Sequence, residues 1–241
     1  MPFEKLIKNE EKVLQFVESS LTTDSSKLLT YFNQHSFNIY YSDPPYKKLI
    51  DTELEYYLDG IGIHLALKLF GFRNVNRFNA TDLNNILFKQ FSEYKTRLFL
   101  IGGEFSPEFL ENNGIYKLNT CGYRNGYFGK DEFDDLINDI NSSCCKVIII
   151  GMGVPKQELL AFNISKRVKV GLIVCVGNFL EFYFGAKKRI PKKFRNTGVE
   201  WLYRLISEPR RLWKRYLIGI PMFLFRILRL KINKDSFETA K

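Results

Sequence analysis

The sequence predicts an α/β protein: a Rossmann-like, mostly parallel sheet flanked by helices, with a C-terminal basic amphipathic helical appendage. Three observations carry this expectation. From about residue 27, short apolar or β-branched runs alternate with helical patterns, the order produced when crossover helices join parallel strands. Several runs are almost continuously apolar, as strands covered on both faces must be. From about Ile190 the strand pattern stops and positive charge takes over.

Residues 1–26 read as a charged N-terminal helical extension ending in the linker T-T-D-S-S. The body, 27–195, holds six candidate strands: K-L-L-T-Y-F (27–32), L-E-Y-Y-L (54–58), R-L-F-L-I-G (97–102), I-Y-K-L-N-T-C-G (115–122), K-V-I-I-I-G (146–151) and V-G-L-I-V-C-V-G (170–177). Helical patterns fall at 61–70, 81–95, 131–143 and 157–166. The appendage, 196–241, reads as two helical pieces within 197–231, separated by S-E-P at 207–209. Ser207 is the expected N-cap of the second piece, with Pro209 in its first turn.

Charge is unevenly spread. Residues 186–241 carry 16 Lys/Arg against 4 acids, whereas residues 1–185 carry 20 against 22. The overall +10 therefore belongs to the appendage, and the body is nearly neutral. A basic, aromatic-containing stretch such as W-L-Y-R-L-I-S-E-P-R-R-L-W-K-R-Y (201–216) suits a polyanion: nucleic acid, a membrane surface or a phosphorylated substrate. The next stretch, Y-L-I-G-I-P-M-F-L-F (216–225), has no charge. It gives a nucleic-acid helix no benefit, so no nucleic-acid partner is expected. It spans about half a bilayer and contains Gly219 and Pro221, which suits a helix lying in the interface better than one that crosses. The N-terminus is too charged for a secretory leader. Cys121, Cys144, Cys145 and Cys175 lack metal-ligand spacing and read as reduced thiols of a cytosolic protein. His35 and His64 are the only histidines and form no H-x-x-x-H pair.

In parallel α/β sheets, ligands bind beyond the carboxyl ends of the strands. Three such ends carry polar residues at sharp turns: Asp59-Gly60, then G-M-G-V-P-K-Q-E (151–158), then Gly177-Asn178 with Glu181 following. Singly each is weak, since Asp-Gly is a common turn and G-x-G alone lacks the dinucleotide and Walker spacings. Together they converge on one end of the predicted sheet.

D-G-I-G, G-M-G-V-P-K-Q-E and R-I-P-K-K-F-R-N-T-G-V-E-W-L-Y-R-L-I-S-E-P-R-R-L-W-K-R-Y, in this order and spacing, resemble the WecG/TagA/CpsF glycosyltransferases over about 27–230. N-Q-H-S (33–36) and N-G-Y-F (125–128) fall where that family has similar blocks. The resemblance implies inverting, metal-independent transfer from a UDP-sugar to a polyprenyl-diphosphate-linked saccharide in bacterial surface-polymer synthesis. It implies no cofactor. The commonest family expectation for the sugar is N-acetylmannosamine or its uronate, with glucose or glucuronate as the alternatives. Asp59 matches the family's aspartate before glycine and is the expected base, since inversion needs one carboxylate to take the acceptor proton. Gln157 and Glu181 match donor contacts, Tyr127 is expected against the nucleotide, and Asn33 is expected to orient the sugar or acceptor. Arg204, Arg211 and Lys214 are expected to meet the departing diphosphate, and residues 204–231 an anionic membrane surface on the cytoplasmic face. Three departures stand out: Tyr31 where many relatives have threonine, Glu181 where aspartate is usual, and Lys214 where arginine is common. The rival reading is a non-catalytic membrane-associated or nucleic-acid-binding basic protein on the same fold. Retention of Asp59 and Gln157 argues against it.

Overall fold

The computed structural model describes residues 2–23, 25–73, 75–76, 79–129, 131–191 and 200–239. Its centre is one six-stranded, all-parallel sheet. The strands are β1 (Lys27–Phe32), β2 (Glu55–Leu58), β3 (Leu98–Gly102), β4 (Thr120–Arg124), β5 (Val147–Gly151) and β6 (Leu172–Cys175), in the spatial order β2-β1-β6-β5-β3-β4. The body helices are α1 (Glu10–Ser20), α2 (Gln34–Ser42), α3 (Pro44–Thr52), α4 (Gly60–Leu69), α5 (Ala80–Glu93), α6 (Pro107–Asn112), α7 (Phe133–Ser143), α8 (Lys156–Ser165) and α9 (Phe179–Tyr183). The sheet is the Rossmann-like α/β arrangement that the alternation of patterns predicts.

The apolar runs serve two layers at once. Along β5, Val147 and Ile149 enter one apolar cluster while Ile148 and Ile150 enter the other. Successive side chains of a strand point to opposite faces, so both parities must be apolar when helices cover both faces. The edge strand β4 breaks this rule. It is only partly buried throughout, and its pairing with β3 slips between Leu98 and Phe99. The predicted strand at 115–122 therefore sits too early: Ile115–Lys117 form a 3-10 turn, and the strand follows at Thr120–Arg124. An edge strand need not be an apolar run, so the apolar-run criterion picked the wrong residues.

The N-terminal reading is also corrected. Residues 1–9 are not helical in their described part, 2–9. Ile7 instead pairs in parallel with Tyr57 on the outer edge of β2, donating to the Tyr56 carbonyl at 2.9 Å and accepting from the Leu58 N–H at 3.1 Å. Phe3, Leu6, Val13 and Val17 are buried in the main apolar cluster. Charges dilute these residues in the sequence, which hides an apolar face that the fold uses.

The appendage comprises α10 (Glu200–Ser207), α11 (Pro209–Trp213), a π-helical turn (Lys214–Ile218) and α12 (Gly219–Thr239). Residues 192–199, which include the predicted 195/196 boundary and the centre of the R-I-P…E-W block, lie outside the described residues. Pro209 opens α11 as expected, but the N-cap is Glu208. Ser207 instead donates its hydroxyl to the Tyr203 carbonyl at 2.9 Å. The Gly219 N–H closes the π turn on the Lys214 carbonyl, just ahead of Pro221, which has no N–H to offer the preceding turn.

The appendage docks along a narrow stripe. Leu212, Tyr216, Phe223 and Ile227 are buried, each such burial being worth on the order of 1.5–3 kcal/mol before ordering costs. Phe223 meets Phe37 of α2 edge-on, with ring centroids 5.1 Å apart. Asn38 donates to the Gly219 carbonyl at 2.7 Å, and Arg226 donates to the Asn38 carbonyl at 2.6 Å. On the other side Leu217, Met222, Leu224, Phe225, Leu228 and Ile232 are exposed. Among the described residues, no helix is long and apolar enough to cross a membrane.

Candidate active site

The register of the sheet brings the first two site residues together. Phe32 pairs with Leu58, and the Asp59 N–H continues the ladder to the Phe32 carbonyl at 3.1 Å. Asn33 and Asp59, the next residues of the two strands, therefore emerge side by side at the carboxyl edge. Asn33 caps α2, its Oδ1 accepting from the His35 and Ser36 N–H groups at 3.0 and 3.1 Å. That leaves its Nδ2 to donate to Asp59 Oδ2 at 3.2 Å.

Asp59 stands at the start of α4 but makes no side-chain cap there. Gly60, at φ +82°, turns the chain away, a conformation that favours glycine. The other carboxylate oxygen, Oδ1, accepts the Ala80 N–H of α5 at 3.0 Å. The turn is thus present but the side-chain cap of α4 is not, and the carboxylate is held in a cleft.

That cleft has a volume of about 990 Å³ including its open mouth. The body contributes Tyr31, Asn33, Asp59, Asn79 and Asn178, and α9 contributes Phe179 and Phe182. Across it, the appendage contributes Trp201, Arg204, Arg215 and Tyr216. Arg204 lies over the Phe182 ring at 5.5 Å. The starts of α2, α4 and α5 all meet here through Gln34, Gly60 and Ala80. Helix N-termini carry unsatisfied N–H groups and the positive end of the macrodipole.

Of the residues singled out from sequence, the structure brings Asn33, Asp59 and Arg204 together. The other five lie outside the cleft lining. Tyr127 is exposed beyond β4, 76% accessible. Gln157 is fully buried: its Oε1 accepts the N–H groups of Gly153 and Gly177 at 3.1 and 3.0 Å. Its Nε2 donates to Glu158 Oε1 at 2.8 Å, which also accepts from Thr30 at 2.7 Å. This chain of hydrogen bonds ties Thr30 of β1 to the turns that follow β5 and β6. Burial pushes the Glu158 carboxyl up to about 7, against those hydrogen bonds. Gly177, at φ +59°, leaves room for Tyr31, whose hydroxyl would lie 2.6 Å from any added Cβ.

Glu181 and Arg211 belong to a charge ladder. Lys187 bridges Glu181 at 2.8 Å and Glu208 at 3.1 Å, and Arg211 reaches Glu208 at 2.7 Å. Burial works against the charge of Glu208, but the hydrogen bonds from Arg211 and Lys187 outweigh it and hold its carboxyl below the ordinary range. Lys214 is exposed, its ammonium 5.5 Å from the Trp213 ring centroid. Arg215, which sequence reasoning passed over, faces the cleft. No sequence signal separates it from Arg211 and Lys214, because the break at Glu208 interrupts the helical period between it and Arg204.

Fold and cleft together define a parallel α/β protein in which a strand-end carboxylate faces a cationic wall supplied by a C-terminal appendage. The family model described as "Glycosyl transferase WecG/TagA/CpsF family" matches residues 2–236. The chain belongs to this family, and is a glycosyltransferase of cell-surface polysaccharide synthesis.

Proposed function

We propose that the chain transfers a sugar, with inversion, from a UDP-sugar to a polyprenyl-diphosphate-linked saccharide, without a metal. The observation that carries this reading is the Asp59 carboxylate, held in the cleft by Asn33 and the start of α5 and opposed by Arg204. As the acceptor oxygen bonds to the anomeric carbon, its proton passes to Asp59. The bond from that carbon to the diphosphate oxygen breaks, and UDP leaves with the electron pair. Arg204 and the N–H groups at the helix starts meet the charge that develops on the departing diphosphate. N-acetylmannosamine or its uronate is the proposed sugar, with glucose or glucuronate as the alternatives.

A lipid-linked acceptor places the reaction at the cytoplasmic face of the membrane. The exposed apolar side of α12, flanked by Arg229 and the other cations of 204–231, suits a helix lying in the interface. Each basic residue near an anionic surface contributes about 1 kcal/mol. The test is incubation of the full chain with a panel of UDP-sugars and a short-chain polyprenyl-diphosphate saccharide, with and without EDTA. An acceptor mass gain of one sugar that persists in EDTA is the expected result. Transfer abolished by EDTA would overturn the metal-independent reading, and turnover only of a non-UDP donor would overturn the donor.

A further inference from the structure

We propose that Arg215, with Arg204, forms the diphosphate-binding cation pair of this chain, and that Arg211 and Lys214 lie outside it. The inference rests on the donor reading above and names the side chains that carry it out. It comes from sorting the cations around the cleft by what each already holds. Arg189 is paired with Asp82 at 2.6 Å. Lys187 and Arg211 are both taken by Glu208. Lys214 points to solvent. Among the described residues, the basic side chains lining the cleft are Arg204 and Arg215.

Neither of these two guanidinium groups has a carboxylate partner among the described residues; each lies near an aromatic ring, Phe182 for Arg204 and Tyr216 for Arg215. The Nε of Arg215 is cut off from solvent and has no hydrogen-bond partner among the described residues. Buried donors in folded proteins are almost always satisfied, and a guanidinium fork fits the oxygens of a phosphoryl group. The neighbour that would compete by charge does not: burial and Arg215 itself push His35 down to about 4, leaving it neutral. The only described carboxylate lining the cleft is Asp59, whose two oxygens are held by Asn33 and Ala80. A ligand with two linked phosphoryl groups supplies the acceptors that the two arginines lack.

Inorganic pyrophosphate is the probe, titrated calorimetrically into the full-length wild type and into Arg215→Ala, Arg215→Lys and Lys214→Ala. Loss of a charge-assisted contact predicts weakening of about tenfold to a hundredfold for Arg215→Ala. Arg215→Lys keeps the charge and most of the stem that packs near Tyr216, and is expected between wild type and alanine. Lys214→Ala is expected within about twofold of wild type. Wild-type affinity in Arg215→Ala, a larger loss in Lys214→Ala than in Arg215→Ala, or no pyrophosphate binding by the wild type would each overturn the assignment. Arg215-dependent pyrophosphate binding without turnover of any UDP-sugar would uphold the anion site and overturn the donor reading.

Discussion

The two walls of the cleft are built on opposite plans. On the body side the carboxylate and its neighbour are already engaged: Asn33 caps α2 and holds Asp59, and Asp59 is held again by the Ala80 N–H. On the appendage side Arg204 and Arg215 have no acidic partner among the described residues, while their neighbours Lys187, Glu208 and Arg211 are fully paired. The first wall is preorganised by strand register and helix starts. The second is carried by helices docked through the stripe from Leu212 to Ile227. A base works best when fixed before substrate arrives, whereas cations left without acids keep their capacity for an incoming anion. On the proposed reading, proton transfer falls to the preorganised side and charge neutralisation to the side carried by the appendage.

The sharpest way to break this contrast is Asp59→Asn. Asparagine keeps the size and can still accept from Ala80, but its amide nitrogen then faces the Asn33 Nδ2 donor, so a modest loss of stability, about 1 kcal/mol, is expected. Turnover should fall by about a hundredfold to ten-thousandfold, the usual worth of a general base, with pyrophosphate affinity nearly unchanged. Retained turnover would move the base elsewhere. Gln157→Ala tests the preorganised wall from below. It strips two glycine N–H groups of their acceptor and Glu158 of a donor, each such loss costing about 1–3 kcal/mol. Urea unfolding should register a loss of several kcal/mol, and any loss of activity should follow from misplacing the Gly177–Asn178 turn. A stable variant with donor KM raised many-fold would instead restore Gln157 as a direct contact.

These assignments also mark what the sequence could and could not reveal. The four central strands were legible because burial on both faces leaves continuous apolar runs, as in V-I-I-I-G. The edge strand β4 and the segment around Ile7 escaped, since a residue that pairs at an edge needs no apolar run. Helices α2 and α3 are short and meet at Asp43-Pro44, so no long helical period announces them. Asp59 and Asn33 stood out because strand ends are readable positions. Gln157 looked like a ligand contact for the same reason, yet the side chain turns inward to the strand ends. Direction of a side chain at a turn depends on backbone geometry that residue type does not encode. Arg211, Lys214 and Arg215 are equally basic in sequence, and only their partners in the fold separate them.

Two titratable groups of the body, Glu158 and His35, predict a compensated pH response. Glu158 is raised to about 7, so between about 4.5 and 7 the folded chain holds a proton there that the unfolded chain has lost. That contribution falls as pH rises. His35 is lowered to about 4, so between about 4 and 6.5 the unfolded chain holds the extra proton, and that contribution grows as pH rises. Each spans roughly 2 to 3 pH units at about 1.4 kcal/mol per unit, so the two slopes oppose one another from about 4.5 to 6.5. In urea unfolding at a series of pH values, Glu158→Gln should gain stability relative to wild type as pH rises through this range. His35→Gln should lose it. Parallel curves for all three proteins would remove both groups from the account.

The smallest expected effect concerns the ladder that joins the walls. Lys187 touches Glu181 on α9 and Glu208 at the start of α11, and its side chain is about one-third exposed. Solvent screening limits such a pair to about 1 kcal/mol or less, so Lys187→Ala should lower the melting temperature by only a few degrees. The same change frees Glu208 to bind Arg211 alone, without adding a charge to the cleft. Pyrophosphate affinity should therefore stay within about twofold of wild type at moderate salt. A tenfold loss in this variant, with stability intact, would mean that the ladder sets the position of Arg204 and Arg215. The appendage wall would then be as preorganised as the wall it faces.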